Sequence, residues 1–291
     1  MTTHIYFLDI SDIPPEDTAE LLHLQPIIPH DMLAQGLSVQ TPSVQIPPTR
    51  TSPLQAAMSR LSPARQEKIL RHRFPQDRLL SLGAGLLLDQ GLQAWGLCER
   101  EAALEYRHNG KPYLRDYPDR YFNLSHSGNM VMAAFSCREV GCDIEQIRPA
   151  RMDVAARFFT EEERMDLSRE CLTEEERNRR FARYWTIKES VLKVTGEGMR
   201  LPLNSFCVHL ASTPHIVWRK QASIGQLQEI PASQKGAQQE TQQTVPSPVS
   251  SHFTFQEFSF PEYQAAVCLR GGKEESDEIF CSFQKLQDVV R

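Results

Sequence analysis

Val140-Gly141-Cys142-Asp143-Ile144-Glu145 sets two acids at alternate positions of an otherwise small and apolar run. Side chains on a strand alternate between its two faces. Asp143 and Glu145 therefore point one way, and Cys142 and Ile144 turn back to a core. The acids' Cα atoms then stand roughly 6–7 Å apart, a gap that one hard cation bridges. A strand edge carrying two solvated acids fits the spacing equally well. The run begins just past residue 138, where strand and helix signals start a second time, so its reading decides the architecture.

Working outward, Met1–Ile10 reads as a first strand, and helical patterns cover 54–72 and 76–97. The second pattern carries Gly83, Ala84 and Gly85 among its leucines, small residues that signal close packing despite their poor helix propensity. Short strands are expected at 104–107, 112–114, 121–124 and 130–136, with Asn109-Gly110 as a hairpin turn. Beyond the acidic strand come helices from Thr160 and Thr173, then strands at 206–210, 215–219, 253–260 and 264–269. Two segments, 26–53 rich in Pro and 223–252 rich in Gln, Ser and Pro, read as loops or insertions. The expectation is an α+β fold of two similar halves, 1–138 and 139–291.

The bulk composition narrows the function classes. The 291 residues are 40% hydrophobic and 24% charged, with a net charge of −5, as in an ordinary soluble protein. That charge argues against generic nucleic-acid binding. No apolar run reaches membrane-spanning length, and the first residues do not resemble a signal peptide. Seven scattered cysteines without a C-x-x-C pair fit reduced thiols in a cytoplasm and give no zinc signature.

Trp185-Thr186-Ile187-Lys188-Glu189-Ser190-Val191-Leu192-Lys193 lies in the helix expected from Thr173 to about Gly196. Lys188 falls inside its apolar stripe with Phe181, Tyr184, Val191, Leu192 and Thr195, where it must snorkel or meet an anion. Glu189 and Lys193 are i, i+4 neighbours on the flank, which by itself describes a weak surface ion pair. A phosphate near Lys188 and Lys193, with Glu189 facing a metal, accounts for all three. The runs Thr160-Glu161-Glu162-Glu163 and Thr173-Glu174-Glu175-Glu176 are read as capping boxes only. Ser125 and His126, within Phe122-Asn123-Leu124-Ser125-His126-Ser127-Gly128, are either a strand-to-turn cap or donors to a phosphate. Arg60, Arg65, Lys68, Arg71 and Arg73 form either a solvated basic face or a polyphosphate site. Arg177, Arg179, Arg180 and Arg183 make a second basic cluster, suited to docking an acidic partner.

In this order, Gly110-Lys111-Pro112, Phe122 through Ser127, Gly141 through Glu145, Phe158-Phe159-Thr160 and Trp185 through Lys193 resemble the 4′-phosphopantetheinyl transferases of the monomeric, surfactin-synthetase-activating type. The likeness runs from about Leu61 to Leu269. It implies two similar α+β subdomains related by a pseudo-two-fold, with coenzyme A and magnesium in the cleft between them. By position, Asp143, Glu145 and Glu189 would bind Mg2+, and Lys188 and Lys193 would lie near the coenzyme A pyrophosphate. Ser125 and His126 would hold its 3′-phosphate, with Lys111 near the adenosine and Arg65 and Lys68 reaching the phosphates. Leu80 stands where an Arg is common, and Arg78, two residues earlier, sits on another side of the helix.

The implied reaction moves the phosphopantetheine arm to a serine of an apo acyl or peptidyl carrier protein and releases adenosine 3′,5′-bisphosphate. Glu189 is the candidate base, directly or through a metal-bound water, and Lys193 the group assisting the leaving diphosphate. The resemblance implies a monomer. Two rivals remain at this level. One is a non-catalytic coenzyme A or carrier-protein binding module, kept alive by Leu80. The other is a magnesium-dependent phosphodiesterase, which the acidic net charge disfavours.

Overall fold

The structure, a computed structural model, describes residues 2–14, 52–219, 252–272 and 278–290. The Pro-rich stretch read at 26–53 lies almost wholly outside the described residues, and so does the Gln/Ser/Pro-rich tract at 223–252.

The chain opens with strand β1 (Thr2–Asp9), followed by helices α1 (Pro53–Ser59), α2 (Pro63–Arg71) and α3 (Pro75–Gln93). Strands β2 (Leu104–Tyr106), β3 (Pro112–Leu114), β4 (Tyr121–Ser127), β5 (Met130–Ser136) and β6 (Val140–Gln146) come next. Helices α4 (Met152–Phe158), α5 (Glu161–Leu167) and α6 (Glu174–Thr195) follow. Strands β7 (Phe206–His209), β8 (His215–Trp218), β9 (Phe253–Ser259), β10 (Tyr263–Arg270) and β11 (Glu278–Lys285) lead to a short helix α7 (Leu286–Val290). Among the described residues no helix is long and apolar enough to cross a membrane.

Local chemistry accounts for most of the boundaries. The single helical pattern expected over 54–72 is two helices. Ser62 caps α2 through a bond accepted from the Arg65 N–H, and Pro63 occupies its first turn, so the chain restarts there. Both capping boxes form as expected, Thr160 with Glu163 and Thr173 with Glu176. Gly196, left-handed at φ 71°, ends α6.

Two sheets stand back to back, each with a long helix on its outer face. The first has the order β11-β1-β5-β4 and the second β6-β10-β9, with all neighbours antiparallel except β1 and β11. Alternation along β5 sends Val131, Ala133 and Phe135 toward α3, and Met130, Met132 and Ala134 inward. On β6 and β10, Cys142, Ile144, Ala265 and Val267 meet those inward residues in a core shared by both sheets. Ala266 and Cys268 instead face α6. Gly91 lets α3 lie on Phe135, whose ring occupies the space of a Cβ there.

The expected α+β architecture of two similar halves with mainly antiparallel sheets is the one observed. The expected second half, 139–291, gives its last described strand to the first sheet. β11 pairs in parallel with β1, Thr2 opposite Glu278 through Asp9 opposite Lys285, so the last described residues belong to the first sheet.

Candidate active site between the two halves

The edge strands β4 and β6 run side by side at the seam without a shared backbone ladder. Side chains from alternate positions of β4 reach across instead. Asn123 Oδ1 accepts from the Cys142 N–H at 2.9 Å, Ser125 Oγ from that of Ile144 at 3.4 Å, and Ser127 Oγ from that of Gln146 at 3.1 Å. The same two hydroxyls donate to the acids, Ser125 to Asp143 Oδ1 at 2.9 Å and Ser127 to Glu145 Oε2 at 2.7 Å.

Helix α6 comes down on β6 at Gly141, where a Cβ would collide with the backbone of Ser190 and Val194. That contact brings Glu189 and Lys193 to the acids. Lys193 Nζ donates to Asp143 Oδ1 at 2.7 Å and to Ser125 Oγ at 2.9 Å. Asp143 is buried, and its Oδ2 has no hydrogen-bond partner. Burial pushes the Asp143 carboxyl up, against the help of Lys193 and Ser125. Glu145 is raised by burial and then by the Asp143 charge. Glu189 is pushed up to about 7, by burial first and then by Asp143, with Lys193 opposing. Burial also works against the Lys193 charge, but its acidic neighbours outweigh it and raise its pKa.

A cavity of about 310 Å³ lies beside these groups, lined by Glu189, Lys193, Asn123 and the Asn109–Pro112 turn. It adjoins a basic recess of about 520 Å³, and Gly110, Pro112 and Asn123 wall both. Arg65, Lys68 and His72 from α2 and its end face the recess with His126 from β4, while Asp77, Ser81 and Ala84 form its α3 wall. Buried Arg65 is steadied by Glu99 at 3.6 Å. Lys68 is lowered by desolvation and by Arg65, and His126 by desolvation and then Lys193. An acidic cluster joined to a basic recess suits a substrate with several phosphates beside its reacting centre.

A profile of the 4′-phosphopantetheinyl transferase superfamily matches residues 139–268, and one of the N-terminal part of 4′-phosphopantetheinyl transferases matches 47–138. The chain is 34% identical over 160 residues to a 4′-phosphopantetheinyl transferase of Bacillus subtilis, covering 55% of this chain and 70% of that protein. It is 35% identical over 154 residues to the 4′-phosphopantetheinyl transferase Sfp of Bacillus subtilis (strain 168), covering 53% and 68%. To the 4′-phosphopantetheinyl transferase gsp of Aneurinibacillus migulanus it is 32% identical over 163 residues, covering 56% and 67%. The chain belongs to the 4′-phosphopantetheinyl transferase family, and within it to the Sfp type.

Several expected ligands of this transferase have other duties. Lys188 is not a cleft lysine. Its ammonium is fully buried against Glu163 at 2.9 Å and donates to the carbonyls of Leu203 at 2.7 Å and Phe206 at 3.0 Å. Burial lowers its pKa, with Glu163 opposing. Lys111 walls the cavity with its stem, but its ammonium donates to Val140, Lys193 and Val194 carbonyls and so fixes the end of α6. Burial pulls it down to about 8. The hydroxyl of Ser125 has one donor and two acceptor sites. All three are used by Asp143, Lys193 and Ile144, which leaves none for a 3′-phosphate.

Nor do the four arginines of α6 present a free basic face. Arg177 and Arg179 bind carbonyls of Leu167, Phe260 and Pro261, Arg180 pairs with Asp166, and Arg183 with Glu257. Leu80 is buried in the core, and Arg78 donates to the carbonyls of Leu70 and His72. The positive charge of the recess therefore comes from Arg65 and Lys68 of α2. His72, Glu99 and Ser127 were missed by sequence reasoning. Only Ser127 carried a signal, its position two residues beyond Ser125 on the same strand face.

Among the described residues no three His, Cys, Asp or Glu side chains stand as a ready-made metal cage. The donor chemistry still fits a hard divalent cation. The Asp143 charge raises the pKa of Glu145 and of Glu189, and Asp143 Oδ2 is a buried acceptor with nothing to accept. Magnesium is commonly held by one or two carboxylates, with water and substrate phosphates as its other ligands.

Proposed function

We propose that this transferase moves the 4′-phosphopantetheine arm of coenzyme A to a serine hydroxyl of an apo acyl or peptidyl carrier protein, with Mg2+, releasing adenosine 3′,5′-bisphosphate. The observation that carries the reading is the cluster of Asp143, Glu145, Glu189 and Lys193 opening into the recess of Arg65, Lys68, His72 and His126. The recess suits the 3′-phosphate, and the adjoining cavity suits the diphosphate.

Asp143, Glu145 and Glu189 would hold the cation, which when bound supplies a Lewis acid at the diphosphate. Without the cation, burial and Asp143 hold Glu189 up at about 7. A cation bound beside it would favour its charged form, which can take the proton of the acceptor serine directly or through a water. Lys193, charged and facing the same cavity, steadies the departing diphosphate. Asn123 and the Asn109–Pro112 turn wall the cavity and orient the donor. We read the transferase as a cytoplasmic monomer serving an acidic carrier. All seven cysteines are free, and a single chain supplies both walls of the cleft.

The test is to incubate the protein with coenzyme A, MgCl2 and an apo carrier protein and to weigh the carrier. A gain of one phosphopantetheine is expected, and its loss in Asp143→Ala while circular dichroism stays native. Tight coenzyme A binding without any mass gain would leave a binding module instead.

A further inference from the structure

Two edge strands side by side ordinarily extend one sheet through a backbone ladder. β4 and β6 do not. The N–H groups of Cys142, Ile144 and Gln146, every second residue of β6, are taken by Asn123, Ser125 and Ser127, every second residue of β4. Side chains interposed in this way hold the two edges farther apart than the roughly 4.8 Å of a ladder.

The hydroxyls repeat one pattern. Ser125 Oγ accepts from the Ile144 N–H and donates to the carboxylate of the preceding residue, Asp143. Ser127 Oγ accepts from the Gln146 N–H and donates to the carboxylate of Glu145. The backbone bond fixes where each hydroxyl sits, and the hydroxyl then fixes one oxygen of the acid. The other oxygen stays uncommitted, and for Asp143 it is buried with no partner. The one-carbon side chain of serine suits both tasks, because the same Oγ must reach an N–H and a carboxylate across one strand gap.

We propose that Ser125 and Ser127 are positioning residues, which anchor the carboxylates of Asp143 and Glu145 to the neighbouring sheet edge and leave one oxygen of each for a divalent cation. This rests on the transferase reading for the identity of the site. It reassigns Ser125 from substrate ligand to anchor and gives Ser127 a role. Hydrogen-bonding partners that orient metal ligands typically change metal affinity by about 10–100-fold when removed.

Ser127 provides the cleaner test, because Ser125 also meets Lys193. Ser127→Thr and Ser127→Val are nearly equal in volume and differ in the hydroxyl. Mn2+ is titrated calorimetrically into the coenzyme A-bound protein, and coenzyme A is titrated separately without metal. The Val variant is expected to bind Mn2+ about tenfold or more weakly. The Thr variant should stay close to wild type, and coenzyme A affinity should be unchanged in both. Wild-type Mn2+ affinity in Ser127→Val, or equal losses in both variants, overturns the proposal. Ser127→Ala is carried through the same titration in case Val does not fold, with the same loss expected and the same overturning result. A wild-type protein that fails to modify any carrier would sink the transferase reading, while the comparison of Mn2+ affinities still decides the anchoring role.

Discussion

Glu189 sits in a neighbourhood that disfavours its charge. Burial, Asp143 and Glu145 raise its carboxyl from 4.5 to about 7, and Lys193 only partly offsets them. An acid raised on folding keeps its proton longer in the folded chain than in the unfolded one. Its contribution to stability is present below pH 4.5 and is lost as the pH rises to about 7. The metal-free Glu189→Gln protein is therefore expected to be more stable than wild type at pH 8, by about 1–2 kcal/mol after discounting for solvent screening. The advantage should vanish near pH 4.5, while transfer is lost at every pH. Thermal melts in EDTA at the two pH values check it, and an equal advantage at both would contradict the charge argument. At this scale the sequence was readable where chemistry is local, as in the alternation of Asp143 and Glu145 and the two Thr caps. It was unreadable where the partner lies far along the chain. Lys188 reads as an anion ligand because a lysine in an apolar stripe must snorkel or meet an anion, and Glu163 reads as a cap and nothing more.

Helix α6 is held against its neighbours by two features that act on the whole element. Gly141 allows its backbone onto β6, and the Lys188–Glu163 pair ties it to α5 and to the start of β7. Glu163 also accepts from the N–H groups of Thr160 and Val208, so one carboxylate closes a cap, a strand end and a buried ion pair. Lys188→Met leaves that carboxylate without its cation and is expected to destabilise the fold by about 3–5 kcal/mol. The double variant Lys188→Met/Glu163→Gln should regain much of the loss, since no uncompensated charge stays buried. Coenzyme A affinity, measured where each variant is folded, should stay at the wild-type value. A lysine that bound diphosphate would do the reverse, weakening coenzyme A binding while the melting temperature held. Two elements escape a reading of the sequence for a related reason. α4 has only seven residues, about two turns, so its periodicity is faint. β11 makes sense only as the partner of β1, at the opposite end of the chain.

The two halves share more than a boundary. The core between the sheets mixes Ile5, Phe7 and Met132 of the first with Cys142, Ile144 and Val267 of the second. β11 returns from the second half to complete the first sheet, and Lys111 reaches across to the end of α6. Neither half can unfold alone without exposing that shared core and freeing the N–H groups of β6. Unfolding should therefore be a single cooperative transition, although a chain of this length with two similar halves could otherwise melt in two steps. The tryptophans allow this to be read half by half. Trp95 packs on Phe135 in the first half, whereas Trp185 and Trp218 pack on Phe159 and Phe206 in the second. In urea, fluorescence of a Trp95→Phe variant reports the second half, and that of a Trp185→Phe/Trp218→Phe variant reports the first. Each variant's fluorescence midpoint is expected to coincide with its own midpoint by circular dichroism. A fluorescence transition separated from the circular-dichroism transition in either variant would mean that the shared core does not couple the halves, and that the cleft can open by melting one wall.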